Sequence, residues 1–346
     1  MLKTLQNAFK VKDVRHRIFY VLMMLVVIRI GSQLPVPGVD GSYFKTWFES
    51  QTGDAFNFLD AFTGGSFSQM SIFALSITPY ITSSIIIQLL TIAIPKLEEM
   101  QRDGEDGRKK LGAITRYVTI GLSLFESIAM AIGFGNKGLI PDNSFVKMVV
   151  VVVALTAGSA FLMWVGEQIN EKGVGNGISI VLLINIVSRI PSDMTKLYES
   201  FMKGKIIAKA LLSGVIIAAI IVGVVILVII LNGAERRIPV QYSKKMQGRK
   251  MMGGQSSHIP LKVNTAGVIP VIFASSIMSF PSVIASFLGK TGGTGIGGKI
   301  LAGMNSNNWF DLEHPWYSIG LVAYIVMVIF FAYFYTSITF NPLEVA

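Results

Sequence analysis

The chain of 346 residues contains no cysteine and few charged residues. The absence of cysteine excludes disulfide bonds, thiolate metal sites and catalytic thiols. Charged residues make up only 14% of the sequence, whereas ordinary soluble domains contain about 25%. The three histidines are far apart, and the sequence offers neither a His/Asp/Glu cluster with metal-ligand spacing nor a phosphate-binding glycine loop. We therefore expect no cofactor, and we expect that the chain is not an enzyme.

Long apolar runs are abundant, since 52% of the residues are hydrophobic. A membrane-spanning helix needs roughly 20 mostly apolar residues. This criterion predicts an all-α, polytopic membrane helical bundle with eight spans. The predicted spans lie near residues 18–34, 71–94, 112–134, 145–166, 177–190, 208–231, 264–288 and 316–338.

Lysine and arginine indicate the direction of the spans, because both residues stay preferentially on the cytoplasmic side. They are concentrated in residues 1–17, 95–111 and 232–263. Residues 189–209 are also basic and would lie outside, but the opposite orientation would place the longer 232–263 segment outside instead. We therefore predict that the N-terminus is cytoplasmic.

Residues 56–70, FNFLDAFTGGSFSQM, form a short apolar segment that Gly64 and Gly65 interrupt. About ten residues cannot cross a bilayer. The segment is either a short external helix or a re-entrant element that enters a cavity, where irregular backbone is tolerated at membrane depth. The residues themselves leave both alternatives open.

The second predicted span contains polar residues in the stretch SITPYITSSIIIQLL, residues 76–90. Pro79 lacks a backbone donor and is expected to loosen this helix. Thr82 and the serines after it can bind backbone carbonyls or a neighbouring helix, although ordinary packing by small residues is the simpler explanation. Ile77 and Ile81 lie one turn apart on one helical face.

Two further features carry charge. Glu126 lies near the middle of the third predicted span, and an acid within a membrane is a functional candidate by default. A proton- or sodium-coupled carrier usually has more than one such group, which counts against a carrier. The basic segment 232–263 fixes topology and also suits docking on a polyanionic partner such as RNA.

Three long motifs carry a resemblance to a known family. FALSITPYITSSIIIQLL, WVGEQINEKGVGNGISI and LKVNTAGVIPVIFASSI resemble the bacterial members of the SecY/Sec61-alpha family, and the stretches FTGGSFSQMSIF and FYTSITFNP occur in matching order. The family fold has ten membrane helices in two pseudosymmetric halves around a central pore. The sequence ends after the eighth predicted span, so the resemblance implies that the last two membrane helices are missing.

The resemblance also implies a division of the chain. The expected parts are a cytoplasmic N-terminal segment (1–17), a first half (18–190) that includes a plug at about 56–70, an external connection (191–207) and an incomplete second half (208–346) with a cytoplasmic docking loop (232–263).

The function implied by the resemblance is a protein-conducting channel of the bacterial plasma membrane. Such a channel translocates unfolded preproteins and releases membrane segments sideways into lipid through a lateral gate. It is a passive pore that associates with SecE and SecG, receives preproteins and signal sequences, and is driven by the SecA ATPase or the ribosome. A secondary solute transporter is the alternative function.

The resemblance assigns roles to four sets of residues. The expected pore ring contains Ile77, Ile81, Leu182 and Ile272, of which the leucine departs mildly from the family's isoleucine. The expected plug includes Phe58, Leu59, Phe62, Gly64 and Gly65. The expected lateral gate contains Thr82, Glu126 and Asn264. The expected docking residues for the ribosome or SecA are Arg236, Arg237, Lys244, Lys245, Arg249 and Lys250.

Overall fold

The protein is described by a computed structural model that covers part of the chain. The described residues are 9–41, 44, 46, 60, 63–135, 144–203, 207–240, 245–247, 250–252, 257–287, 296–304, 309 and 317–339. The helices within them are α1 (Lys12–Gln33), α2 (Thr78–Ala93), α3 (Pro95–Arg102), α4 (Gly104–Gly135), α5 (Phe145–Lys172), α6 (Gly177–Phe201), α7 (Ile207–Gly233), α8 (Ile269–Phe287), α9 (Ile296–Met304) and α10 (Ser318–Thr339). The strands, between α7 and α8, are β1 (Glu235–Val240), β2 (Lys245–Gln247), β3 (Lys250–Met252) and β4 (Ser257–Lys262).

Five of the described helices are long and apolar enough to cross a membrane, namely α4, α5, α6, α7 and α10. A sixth span results if α2 and α3, which meet at an angle of 103°, are counted together. Helix α8 contains a shorter apolar stretch, Ile269–Met278. The predicted class, a polytopic helical membrane protein, is confirmed, whereas the predicted number of eight spans stays a prediction.

The second predicted span begins later than expected. Residues 71–77 form turns, and α2 begins only at Thr78. Pro79 lies in the first turn of α2, where a missing N–H removes no helical hydrogen bond. The expectation that Pro79 loosens a helix is therefore wrong, because no helix precedes it.

The described residues fall into two compact units. One contains Met1–Ser192 and Ser275–Tyr324, and the other contains Asp193–Ala274 and Ile325–Ala346. The predicted division into halves stays a prediction. Helix α6 continues to Phe201, well past the predicted end of its span at residue 190, with Pro191 inside it.

The core of the first unit consists of two clusters. The aromatic cluster is centred on Phe44, Phe67 and Phe134, and the rings of Phe44 and Phe134 meet edge to face with centroids 4.9 Å apart. The second, which we call the isoleucine cluster, joins α1, α2, α5 and α6. Its buried members are Met24, Ile28, Phe73, Ile77, Leu162, Val165, Ile169 and Val181.

The basic segment after α7 contains β structure that the all-α prediction did not anticipate. Strand β1 pairs antiparallel with β4, and β2 pairs antiparallel with β3. Four of the predicted docking residues, Arg236, Arg237, Lys245 and Lys250, therefore lie along paired strands.

Candidate functional site

Three of the four predicted ring residues lie together. Ile77 is completely buried in the isoleucine cluster, and Ile81 and Leu182 pack against the same cluster while partly exposed. Ile77 and Ile81 are one helical turn apart, because the Ile81 amide donates to the Ile77 carbonyl at 3.1 Å. All three side chains are apolar, and Ile81 and Leu182 keep part of their surface exposed.

The position of Ile77 is set by the residue before it. Ser76 has φ of 53°, a left-handed conformation that serine rarely adopts. Its buried hydroxyl accepts a hydrogen bond from Nδ2 of the buried Asn185 on α6 at 3.0 Å. This bond compensates the strained backbone and fixes the start of α2, and Ile77 with it, against α6.

Leu182 is placed by the turn between α5 and α6, in the motif WVGEQINEKGVGNGISI. The Asn170 side chain accepts a hydrogen bond from the Gly177 amide at 2.7 Å, and Asn176 caps α6 by accepting from the amides of Ile178 and Ser179. A Cβ atom at Gly177 would collide with the Gly166 carbonyl oxygen. The motif therefore builds a tight turn, as expected for the connection between the fourth and fifth spans.

The fourth ring residue, Ile272, belongs to the second unit. It lies in the first turns of α8, where its amide donates to the Val268 carbonyl at 3.3 Å, and its side chain is half-buried. Its convergence with the other three residues stays a prediction.

Two of the predicted plug residues are described, and Phe58, Leu59 and Phe62 lie outside the described residues. Gly64 and Gly65 have φ of 68° and 85°, which glycine adopts without strain. A Cβ atom at Gly64 would lie 2.7 Å from the Asn185 carbonyl oxygen, so only glycine fits this close to α6. The described part of the segment, residues 63–70, is mostly a series of turns, and its role as a plug stays a prediction.

The predicted gate residues make different contacts. The Thr82 hydroxyl donates to the Thr78 carbonyl within α2 at 3.1 Å, so it binds its own helix. Glu126 is partly buried on α4, next to Ser127, whose hydroxyl accepts from Thr156 of α5 at 3.1 Å. In the second unit, exposed Asn264 donates to the Asn232 side chain at 3.3 Å and accepts from the Gly267 amide at 2.9 Å. The gate stays a prediction.

Two of the predicted docking residues have described side chains. Arg236 and Arg237 are exposed on β1, opposite Leu261 and Pro260 of β4. Because successive side chains of a strand point to opposite faces, the two arginines lie on opposite faces of the ladder. Lys245 and Lys250 lie in β2 and β3, whereas Lys244 and Arg249 lie outside the described residues.

Sequence reasoning missed two ion pairs between distant residues. Arg116 of α4 contacts Glu167 of α5 with an Nε–Oε1 distance of 2.6 Å. Asp60 contacts Arg189 of α6 with an Oδ2–Nη1 distance of 2.9 Å, and this second pair is largely buried. Charges near span ends were a signal that partners were needed, but no sequence pattern indicated which residues would pair.

Comparison with known proteins places this arrangement in a family. A family model described as SecY matches residues 71–346. The chain belongs to the SecY family. The match includes the α2 residues and the α5–α6 turn that position three of the residues predicted for the ring.

Relatives and solved structures agree with this assignment. The protein translocase subunit SecY of Halalkalibacterium halodurans is 42% identical over 351 residues, a match that covers 100% of this chain and 78% of that protein. A solved structure titled "The structure of a protein conducting channel" has a TM-score of 0.62 at 17% identity, covering 94% of this chain and 73% of that one. "Sec61 in the Canine ribosome-channel complex from the endoplasmic reticulum" gives 0.61 at 18%, covering 95% and 75%. The SecY fold, a multi-pass membrane helical bundle, is therefore the fold of this chain.

Proposed function

We propose that this chain is the channel-forming subunit of a bacterial protein translocase. It conducts unfolded preproteins across the plasma membrane and releases membrane segments sideways into lipid. The observation that carries the proposal is the packing of three apolar side chains, buried Ile77 and partly exposed Ile81 and Leu182, in a chain of the SecY family. The alternative, a secondary solute transporter, is not favoured, because the relatives are named as translocase subunits.

The proposed mechanism uses the ring as a seal. A narrow apolar constriction loses its water and thereby resists the passage of ions. The same surface lets side chains of any kind slide through, because it forms no fixed hydrogen bonds. Ile272 is the fourth member of the proposed ring, which holds back ions when it is closed. The segment at residues 56–70 acts as the plug that covers the ring.

The proposed partners follow from the exposed basic strands and from the relatives. SecE and SecG accompany the channel, and the chain itself catalyses no reaction. Arg236, Arg237 and the lysines of β2 and β3 make the paired strands cationic, and these strands dock the ribosome or SecA, which supplies the driving force. A solved Sec61 structure of the same fold is a ribosome–channel complex, which supports a ribosome as partner. This docking surface and the N-terminus are proposed to face the cytoplasm.

The seal is tested by widening it. Replacing Ile81 and Ile272 together with glycine should make the resting channel leak ions, because small side chains enlarge the constriction and allow water to enter it. Conductance is recorded in planar bilayers with the channel and the subunits that co-purify with it.

The matched control replaces Ile92 and Val271 with glycine, and both are exposed residues on the same two helices, α2 and α8. The resting conductance of this control should equal that of the parent. If the resting conductance of the ring variant also equals that of the parent, the proposed seal is contradicted.

A further inference from the structure

A buried polar network fastens the described part of the 56–70 segment to helix α6. Asp60 uses both carboxylate oxygens: Oδ1 accepts the Ser68 amide at 2.8 Å, and Oδ2 accepts Arg189 Nη1 at 2.9 Å. The Asp60 side chain is only 6% exposed and that of Arg189 only 15%. One oxygen therefore shapes the turns of the segment, while the other attaches the segment to α6.

Two neighbouring contacts act at the same place on α6. Arg29 of α1 donates to the Ser188 hydroxyl at 3.0 Å and reaches the Gly64 carbonyl at 3.5 Å. Gly64 itself lies against the Asn185 backbone. The contacts of the segment with α6 thus fall within one helical turn, from Asn185 to Arg189.

The same helical turn also supports the predicted ring. Asn185 donates through Nδ2 to Ser76, the residue directly before Ile77. One turn of α6 therefore holds both the segment at 63–70 and Ser76, which lies two residues before the start of α2. The segment and the apolar ring share a common support.

We propose that the Asp60–Arg189 ion pair is a latch that holds residues 63–70 against α6 and must separate before this segment can leave. The proposal rests on the proposed function, in which this segment is the plug, and assigns the control of its release to two residues. Both side chains lie almost out of water, so separation removes a close opposite charge from each at a place where water does not readily replace it. The pair therefore favours the seated position.

Apolar packing holds the segment as well, but independently of the charges. Phe67 and Met70 are buried in the aromatic cluster. Loss of the ion pair should consequently raise the fraction of time that the segment spends displaced, without abolishing its seated position.

The test measures release through a buried thiol. The chain contains no cysteine, so Ser66→Cys introduces a single probe at a residue that is 1% exposed. Its rate of reaction with a maleimide reports how often the segment leaves its site. The protein is labelled in membranes together with the subunits that co-purify with it.

Asp60→Asn and Arg189→Gln, each in the Ser66→Cys background, should raise the labelling rate about tenfold or more, because each removes the charge–charge attraction between the segment and α6. The double variant should react more slowly than either single variant, because its two neutral side chains carry no unpaired charge. Arg189→Lys keeps the charge and should react at nearly the rate of the parent.

The control is Lys203→Gln, which removes the exposed Glu199–Lys203 pair and should not change the labelling rate. Asp60→Asn also alters the acceptor of the Ser68 amide. Should that variant fail to fold, the comparison of Arg189→Gln with Arg189→Lys decides, since both leave the Asp60–Ser68 bond in place. Labelling rates of the Arg189→Gln and Asp60→Asn variants equal to that of the parent would overturn the latch.

Ion conductance of the same variants separates the latch from the proposed function. Faster labelling with increased resting conductance supports both. Faster labelling at an unchanged, silent conductance supports the latch and contradicts the role of the segment as part of the ion seal.

Discussion

Gly158 is the position at which the packing of α5 against the turns before α2 can be tested most directly. It is buried on α5, and a Cβ atom there would collide with the carbonyl oxygen of Ile72 and lie 2.8 Å from the Ile72 carbonyl carbon and Cγ2. The Ile72 backbone cannot easily retreat, because its amide donates to the Leu34 carbonyl at 2.9 Å. Gly158→Ala should therefore force α5 away from residues 71–77.

The expected loss of stability depends on which atom the new Cβ would contact, and here it is a backbone carbonyl oxygen. Overpacking that a flexible side chain cannot relieve typically costs about 1–3 kcal/mol. In a chain of this size, each kcal/mol lowers the melting temperature by about 2 °C, so Gly158→Ala should melt about 2–6 °C below a helical glycine-to-alanine variant that causes no collision. The assay is thermal unfolding of the purified protein in detergent, at one heating rate for all variants.

The matched control is Gly121→Ala on the neighbouring helix α4. Gly121 is exposed, and a Cβ atom there meets nothing within 4 Å. Alanine is the better helix former by about 1 kcal/mol, so this variant should melt at or slightly above the temperature of the parent. Equal melting of Gly158→Ala and Gly121→Ala would refute the inference that backbone-to-backbone contact holds α5 in place.

Two further predictions concern docking and the lateral gate. Arg237→Glu should weaken binding of the ribosome or SecA, most strongly at low salt, because the residue is exposed opposite Pro260 and its reversal leaves the strand pairing intact; Lys209→Glu is the control for net charge, and equal affinity across a salt series would contradict the assignment. For the gate, single cysteines at residues 82–84 are paired with single cysteines at residues 275–280, and at least one pair should lie within the Cα separation of about 7 Å that a disulfide requires. Oxidation of that pair should block secretion and reduction should restore it, whereas a crosslinked protein that exports normally would argue against these helices as the gate.

The membrane helices could be predicted largely from apolar runs, because lipid offers no partners for exposed backbone groups. The runs at 112–134 and 145–166 correspond to α4 and α5. Both helices are longer than the runs, since α4 begins at Gly104 and α5 ends at Lys172. A helix can continue into water after its apolar stretch ends, so hydropathy marks the part within the membrane and not the helix boundary.

Apolar composition did not distinguish turns from helix in residues 71–77. These residues are hydrophobic enough to extend the run of α2, yet they form turns that α5 and α6 cover. The bonds from Val36 to the Met70 carbonyl and from Ile72 to the Leu34 carbonyl satisfy part of this irregular backbone. Such partners come from a distant stretch of chain, so a local pattern cannot reveal them.

Arg189 shows why the site was harder to predict than the fold. Counting basic residues made it an exception to the predicted orientation, because it lies in the basic stretch on the proposed external side. The structure gives it a separate reason to be there, since its charge compensates Asp60. The general rule that buried charges are paired predicts that Arg189 needs a partner. The rule does not identify the partner, because Asp60 lies 129 residues earlier in the chain. Asp60 and Arg189 come together only when the turns at residues 63–70 pack on α6.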